Sequence, residues 1–99
     1  MANKFEQDLD LVTKVKHPKK YKVLLLNDDY TSMEFVVDIL MNVFRKSFNE
    51  AETIMLDIHE KGKGVCGIYT YEIAESKVLT VHRRAKDSGF PLKCTMEEA

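Results

Sequence analysis

The sequence predicts an α+β fold, a two-layer β-α-α-β-α-β sandwich in which three helices pack on a three-stranded antiparallel sheet with the first strand central. Three observations lead there. Short apolar runs bounded by turn residues alternate with stretches of helical period. Two helices between the first two strands return the chain antiparallel, while one helix between the last two makes those run the same way. The first run, Tyr21-Lys22-Val23-Leu24-Leu25-Leu26, is apolar without alternation, as a strand buried on both sides requires. Placing it in the middle makes every neighbouring pair antiparallel.

The elements follow in order. The first strand ends at Asn27-Asp28-Asp29, a turn sequence. Thr31-Ser32-Met33-Glu34 has capping-box spacing: the Thr31 hydroxyl can accept from the Glu34 N–H, and the Glu34 carboxylate can reach back. The first helix then carries Met33, Val36, Val37, Leu40, Val43 and Phe44 on one face. Asn49, with Glu52 three residues on, signals the start of a second helix. Ala51, Ile54, Met55 and Ile58 form its inner stripe, and Lys61 followed by Gly62 ends it. A second strand is expected over residues 65–69, with Gly64 and Gly67 allowing close backbone approach. Thr70 can cap a third helix in which Ala74, Val78, Val81 and Ala85 recur at helical spacing up to Gly89. Pro91 opens a last strand in which Leu92, Cys94 and Met96 alternate.

Composition narrows the function classes. Apolar residues make up 44% and charged residues 31% of the 99, as in a globular domain able to build one core. The longest unbroken apolar run is residues 23–26, too short to cross a bilayer, and the start of the chain lacks an apolar signal-peptide core. A cytoplasmic location is therefore expected, without membrane attachment. Cys66 and Cys94 form neither a disulfide framework nor a zinc spacing. Residues 1–20 hold five Lys and three Asp or Glu; residues 21–99 hold ten Lys or Arg and thirteen Asp or Glu. A net acidic folded part is a poor match for nucleic acid, whose binding rests on phosphate neutralisation. Residues 1–19 lack a sustained apolar period and read as a flexible N-terminal arm, with the folded domain over 20–98.

The residues that could carry chemistry are Asn27, Asp28 and Asp29 after the first strand, and His59 near the end of the second helix. Each also has a structural explanation: a turn and helix start for the first three, a favourable meeting with the helix dipole for the histidine. A Cys66/His59 nucleophilic pair would make the chain a small hydrolase, although nothing signals an orienting group or an oxyanion hole. A metal held by Asp28, Asp29 and His59 lacks a spacing motif. The basic stretch from Lys14 to Lys20 could touch nucleic acid, although no aromatic residue interleaves it. Met33 and Met55 are packing residues by default and adaptable pocket walls in the alternative.

Four blocks resemble the ClpS adaptor family: Val23-Leu24-Leu25-Leu26-Asn27-Asp28-Asp29-Tyr30-Thr31-Ser32-Met33-Glu34-Phe35-Val36, Met55-Leu56-Asp57-Ile58-His59-Glu60-Lys61-Gly62, Gly67-Ile68-Tyr69-Thr70-Tyr71-Glu72-Ile73-Ala74-Glu75-Ser76-Lys77-Val78, and Pro91-Leu92-Lys93-Cys94. They lie in the family's order and spacing across roughly residues 20–98. The resemblance implies an adaptor rather than an enzyme. It would bind substrates whose first residue is Leu, Phe, Tyr or Trp and hand them to ClpA or a related Clp/Hsp100 unfoldase, without a cofactor or metal. It implies that Asn27, Asp28 and His59 hold the α-amino group. It implies a side-chain pocket walled by Met33, Val36, Met55, Ile58 and Leu92, with Asp29 and Thr31 at the rim and Met33 as the gate against Val and Ile. Glu72 and Lys77 match positions that touch the unfoldase's N-terminal domain, and the arm matches the extension that engages the unfoldase. Two residues depart from the pattern: Ser32 stands where proline is frequent, and Tyr71 where a basic residue is common. A ribosome- or nucleic-acid-associated module is the remaining alternative, because the sandwich resembles a ribosomal stalk domain.

The chemistry fits that implied task. A free ammonium offers three donors and a charge, whereas an internal peptide nitrogen offers one donor and none. A reader of chain ends must therefore supply several acceptors and some negative charge. A histidine in that role accepts only when neutral, so affinity should fall as the medium becomes acidic.

Overall fold

The computed structural model describes residues 19–99 and follows the expected element order. Strand β1 (Lys20–Leu26) leads to helices α1 (Met33–Asn42) and α2 (Phe48–Lys61), strand β2 (Lys63–Thr70), helix α3 (Tyr71–Ser88) and strand β3 (Lys93–Glu98). Apart from Lys19, the arm expected over 1–19 lies outside the described residues, as does most of the basic stretch from Lys14 to Lys20.

The sheet order is β2-β1-β3, with both pairings antiparallel. Val23 and Leu25 are fully buried and Leu24 nearly so, which only a strand flanked on both edges can achieve in this layout. Val23 and Leu25 join the core with Ile39 and Leu40 of α1, Ala51 and Ile58 of α2, and Ala74, Val81 and Ala85 of α3. Cys66 and Cys94 reach the same core from β2 and β3. Between Val23 and Leu24 the pairing with β2 slips by one residue, so Cys66 has no partner opposite it and forms a bulge.

Two helix starts differ from expectation. Ser32, not Thr31, caps α1, accepting from the Phe35 N–H at 3.1 Å. Thr31 is unavailable because its hydroxyl is already bonded to Asp28. Helix α2 begins two residues earlier than Asn49 suggested: Ser47 and Glu50 close a reciprocal capping box. Thr70 occupies the cap position of α3 without a side-chain bond. β2 starts at Lys63 rather than at residue 65, and β3 starts after Leu92. Met33, expected on the inner face of α1, is 49% exposed, whereas Ile39, absent from the expected stripe, is fully buried.

Candidate functional site

The site forms where the end of β1 meets the last turn of α2. The Asn27 N–H donates to the Gly62 carbonyl at 2.8 Å, tying these segments together. Gly62 closes α2 with its N–H on the Ile58 carbonyl at 2.9 Å and a φ of 89°, a left-handed conformation that suits glycine. His59 lies in the helix's last turn, one residue beyond the buried Ile58. A local cap and one long-range backbone bond thus bring Asn27 and His59 to the same place.

Asp28 shapes the loop between them. Its Oδ1 accepts from the Tyr30 N–H at 2.8 Å and the Thr31 N–H at 2.7 Å. Its Oδ2 accepts from the Thr31 hydroxyl at 2.6 Å. Partial burial pushes this carboxyl up, but the Thr31 hydroxyl and the two N–H groups outweigh it and hold it below its ordinary value. The group is therefore a carboxylate at neutral pH. Three of its roughly four lone-pair directions are used, leaving one on Oδ2 and a full negative charge.

Asn27, Asp28, Asp29, Thr31, Met33, Val36, Met55, Ile58 and His59 line one cavity of about 210 Å³. The expected amino-binding trio, both rim residues and four of the five expected wall residues are thus brought together. Leu92 is the exception: it is buried in the core just before β3 and is not among the lining residues. Close packing of the interior around it explains why an apolar residue there need not reach the cavity. The lining joins polar groups, with two carboxylates and no lysine or arginine, to four apolar side chains from α1 and α2. Such a lining can take one cationic head and one apolar side chain.

Glu72 and Lys77 lie elsewhere, beside a shallow depression of about 410 Å³ that shares no lining residue with the first. The Lys77 ammonium donates to the Val43 carbonyl at 2.6 Å and lies 5.7 Å from the centre of the Tyr69 ring. Ile73, Ser76, Thr80 and Arg84 of α3, with Arg45 beyond α1, complete that surface. The sequence reading missed them, although the steps from Ile73 to Ser76, Thr80 and Arg84 trace one helix face.

The other chemical readings find no support in the geometry. Cys66 is fully buried and donates to the Gly64 carbonyl at 3.8 Å. Burial, helped by neighbouring Cys94, pushes its thiol up to about 12, so it is not a thiolate at neutral pH. It does not line the His59 cavity. Among the described residues no group of three His, Cys, Asp or Glu side chains is placed to hold a metal, and no helix is long and apolar enough to cross a membrane.

Comparison with known proteins points one way. The family described as ATP-dependent Clp protease adaptor protein ClpS matches residues 16–95. The chain is 54% identical over 98 residues to the ATP-dependent Clp protease adapter protein ClpS of Oleidesulfovibrio alaskensis, covering 99% of this chain and 94% of that one. It is 61% identical over 82 residues to the protein of the same name from Desulforapulum autotrophicum, covering 83% and 79%. Among solved structures it is similar to Agrobacterium tumefaciens ClpS2 bound to L-phenylalaninamide, with a TM-score of 0.81 and 42% identity over 84% of this chain and all of that one.

Proposed function

The chain belongs to the ClpS family of ATP-dependent Clp protease adaptor proteins, and from that premise we propose that it is a substrate-recognition adaptor that reads free protein N-termini. The substrates are chains that begin with Leu, Phe, Tyr or Trp. The adaptor delivers them to the N-terminal domain of a Clp unfoldase such as ClpA for degradation. The observation that carries this reading is a single cavity whose lining combines acceptors and apolar side chains, both drawn from two segments far apart in sequence, residues 27–36 and 55–59.

The ammonium of the substrate meets the Asn27 side-chain oxygen, the free direction on Asp28 Oδ2 and a His59 ring nitrogen, which matches its three donors. Acetylation leaves one donor and no charge. Each acceptor that the bound peptide covers and leaves unpaired costs about 1–3 kcal/mol. The first side chain enters between Met33, Val36, Met55 and Ile58. A cavity near 150 Å³ suffices for benzene, so about 210 Å³ fits one aromatic or branched aliphatic side chain. Burying that side chain contributes about 1.5–3 kcal/mol. L-phenylalaninamide, bound by the Agrobacterium relative, has both features: a free α-amino group and an apolar side chain.

Glu72 and Lys77 serve as the unfoldase contact. Their surface is lined by none of the cavity's residues, so substrate and unfoldase can be held together. Fluorescence anisotropy with peptides identical except for the first residue and its acetylation tests recognition. Leu-, Phe-, Tyr- and Trp-starting peptides should bind at least about tenfold more tightly than their acetylated forms or Gly-starting controls. Equal binding of acetylated and free peptides would sink the reading.

A further inference from the structure

Two of the three described helices end on a glycine in the left-handed region, Gly62 at φ 89° and Gly89 at φ 78°. The turn after α1 uses an arginine instead. Arg45 has φ 58° and is the only non-glycine with positive φ among the described residues. The Lys46 N–H returns to the Leu40 carbonyl at 3.1 Å and fixes that turn. A Cβ in this conformation crowds its own backbone, and glycine would relieve it. A cation is favoured beside a helix C-terminus, yet the Lys77 ammonium already fills that role, 2.6 Å from the Val43 carbonyl. The reason for an arginine here lies in what its side chain meets. It lines the depression of about 410 Å³ together with Lys77 and Arg84, which stand two turns apart on one face of α3. Three cations face the single carboxylate of Glu72, on a folded part whose net charge is negative. Arg45, Glu72 and Arg84 are exposed, and among the described residues none of them takes part in an ion pair. Ile73, half exposed, adds an apolar contact among them.

We propose that Arg45 and Arg84 are specificity residues toward the unfoldase. They pair with carboxylates of an acidic patch on that partner, around an apolar spot that receives Ile73, and Arg45 keeps its unfavourable backbone for this contact. The inference rests on the reading of the Glu72 and Lys77 surface as the unfoldase contact, and deepens it by naming the partner's chemistry. Glu72 and Lys77 alone, one charge of each sign, would suit a partner of either sign. Arg45 and Arg84 decide between them, because they complement carboxylates and oppose a basic surface. A guanidinium holds a carboxylate through two parallel bonds, and arginine is enriched among the residues that dominate binding at interfaces. The negative charge of the rest of the folded part repels an acidic partner elsewhere and steers it to this depression.

The test measures binding of the labelled full chain to the full-length ClpA-type unfoldase of the same organism by fluorescence anisotropy, and melting by circular dichroism. Arg45→Lys and Arg45→Gln keep the backbone cost, so the difference between them reports the charge. Arg45→Lys should bind within about threefold of wild type, and Arg45→Gln and Arg84→Gln about five- to tenfold more weakly. Arg45→Gly should bind as weakly as Arg45→Gln, yet melt above it and no lower than wild type. Raising salt from about 0.05 M to about 0.3 M should weaken wild type more than the variant carrying both Arg45→Gln and Arg84→Gln. If that double variant binds like wild type while Glu72→Ala or Lys77→Ala weakens binding, the proposal is overturned and the surface remains the unfoldase contact. If none of these changes weakens binding, the reading of the surface has failed and the proposal falls with it. Arg45→Gly melting below Arg45→Gln would overturn the argument from the backbone. A Tm raised by inorganic phosphate over chloride at matched ionic strength, and lost in a double variant that still binds the unfoldase, would assign the cluster to a small anion and overturn the proposal.

Discussion

Asp28→Asn separates the task this side chain has in the structure, holding the loop, from the one proposed for it, meeting the ligand's ammonium. The amide oxygen can replace Oδ1 and keep the bonds from the Tyr30 and Thr31 N–H groups. The amide nitrogen then replaces Oδ2, and the Thr31 hydroxyl rotates from donor to acceptor. Three contacts survive without the charge that strengthens them, and a charge-assisted bond is about twice as strong as a neutral one. The fold should lose about 1–2 kcal/mol on that account. The ligand side loses more. The direction that carried a lone pair now presents N–H donors to an ammonium. Flipping the amide to restore an acceptor there breaks both backbone bonds. The loss is about 1.5–3 kcal/mol, or roughly 10- to 100-fold in Kd. Anisotropy with Phe-starting peptides should show the free form weakened by that factor and the already weak acetylated form unchanged. A variant that binds the free peptide within about twofold of wild type, with the same ratio of free to acetylated affinity, would refute the role assigned to the carboxylate.

Three further outcomes are expected. Because the Asp28 carboxyl is held below its ordinary value in the fold, its contribution to stability is present above the unfolded value, near pH 4, and lost as pH falls through the folded value. Wild type should therefore lose more Tm than Asp28→Asn between about pH 5 and pH 2, measured by circular dichroism; identical acid limbs would contradict this. Gly64→Ala places a Cβ 2.7 Å from Ile58 Cγ1, where carbon contacts need about 3.5 Å or more. Ile58 must yield toward the cavity it walls, so urea unfolding should show a loss of about 1–3 kcal/mol, and Phe-starting peptides should weaken more than Leu-starting ones; unchanged selectivity would show that the wall did not move. Finally, His59→Phe removes a ring acceptor from the cavity lining while keeping a ring there, so the free Phe-starting peptide should weaken by about tenfold and the acetylated one should not; unchanged affinity would remove His59 from the site.

The fold was legible where one physical cue dominates. The unbroken run at Val23 to Leu25 required a central strand, and the number of helices between strands fixed their directions. Gly62 and Gly89 marked real helix ends. Helix starts were less legible because two hydroxyl residues stand side by side at Thr31-Ser32. Which one caps depends on Asp28, whose bond claims Thr31. At the second start, Ser47 with Glu50 satisfied the motif two residues before Asn49. Periodicity put Met33 inside because it falls on the stripe of α1, yet the stripe's first turn overhangs the cavity rather than the core. The site itself was not readable from pattern. Asn27 and His59 meet through the Asn27–Gly62 backbone bond, and a bond between distant peptide groups leaves no trace in side-chain spacing. Pattern singled out both residues as candidates, each with an ordinary structural explanation; only the resemblance gave them one task, and it also named Leu92, which the core absorbs.

On the proposed reading, recognition at such a cavity is conjunctive. Association costs several kcal/mol in lost freedom, about as much as either half of the cavity can return alone. An apolar side chain inside a protein reaches the Met33 and Met55 wall without a charge for Asn27, Asp28 and His59. A chain starting with Gly brings the charge and leaves the wall wet. Only a terminus with both exceeds the cost, and only if the two halves keep their spacing. That spacing is fixed by rigid elements: the acceptors hang on the β1 end and the α2 end, which Asn27 and Gly62 join, while Val36 and Ile58 anchor the apolar half in the core. The α2 C-terminus adds to the preference, because unpaired helix carbonyls carry partial negative charge and favour a cation beside them. The Lys61 ammonium, which could compete for that position, pairs with Asp57 at 3.5 Å instead. Negative potential without a resident cation, beside an apolar wall of matching size, is what a reader of chain ends needs before any ligand arrives.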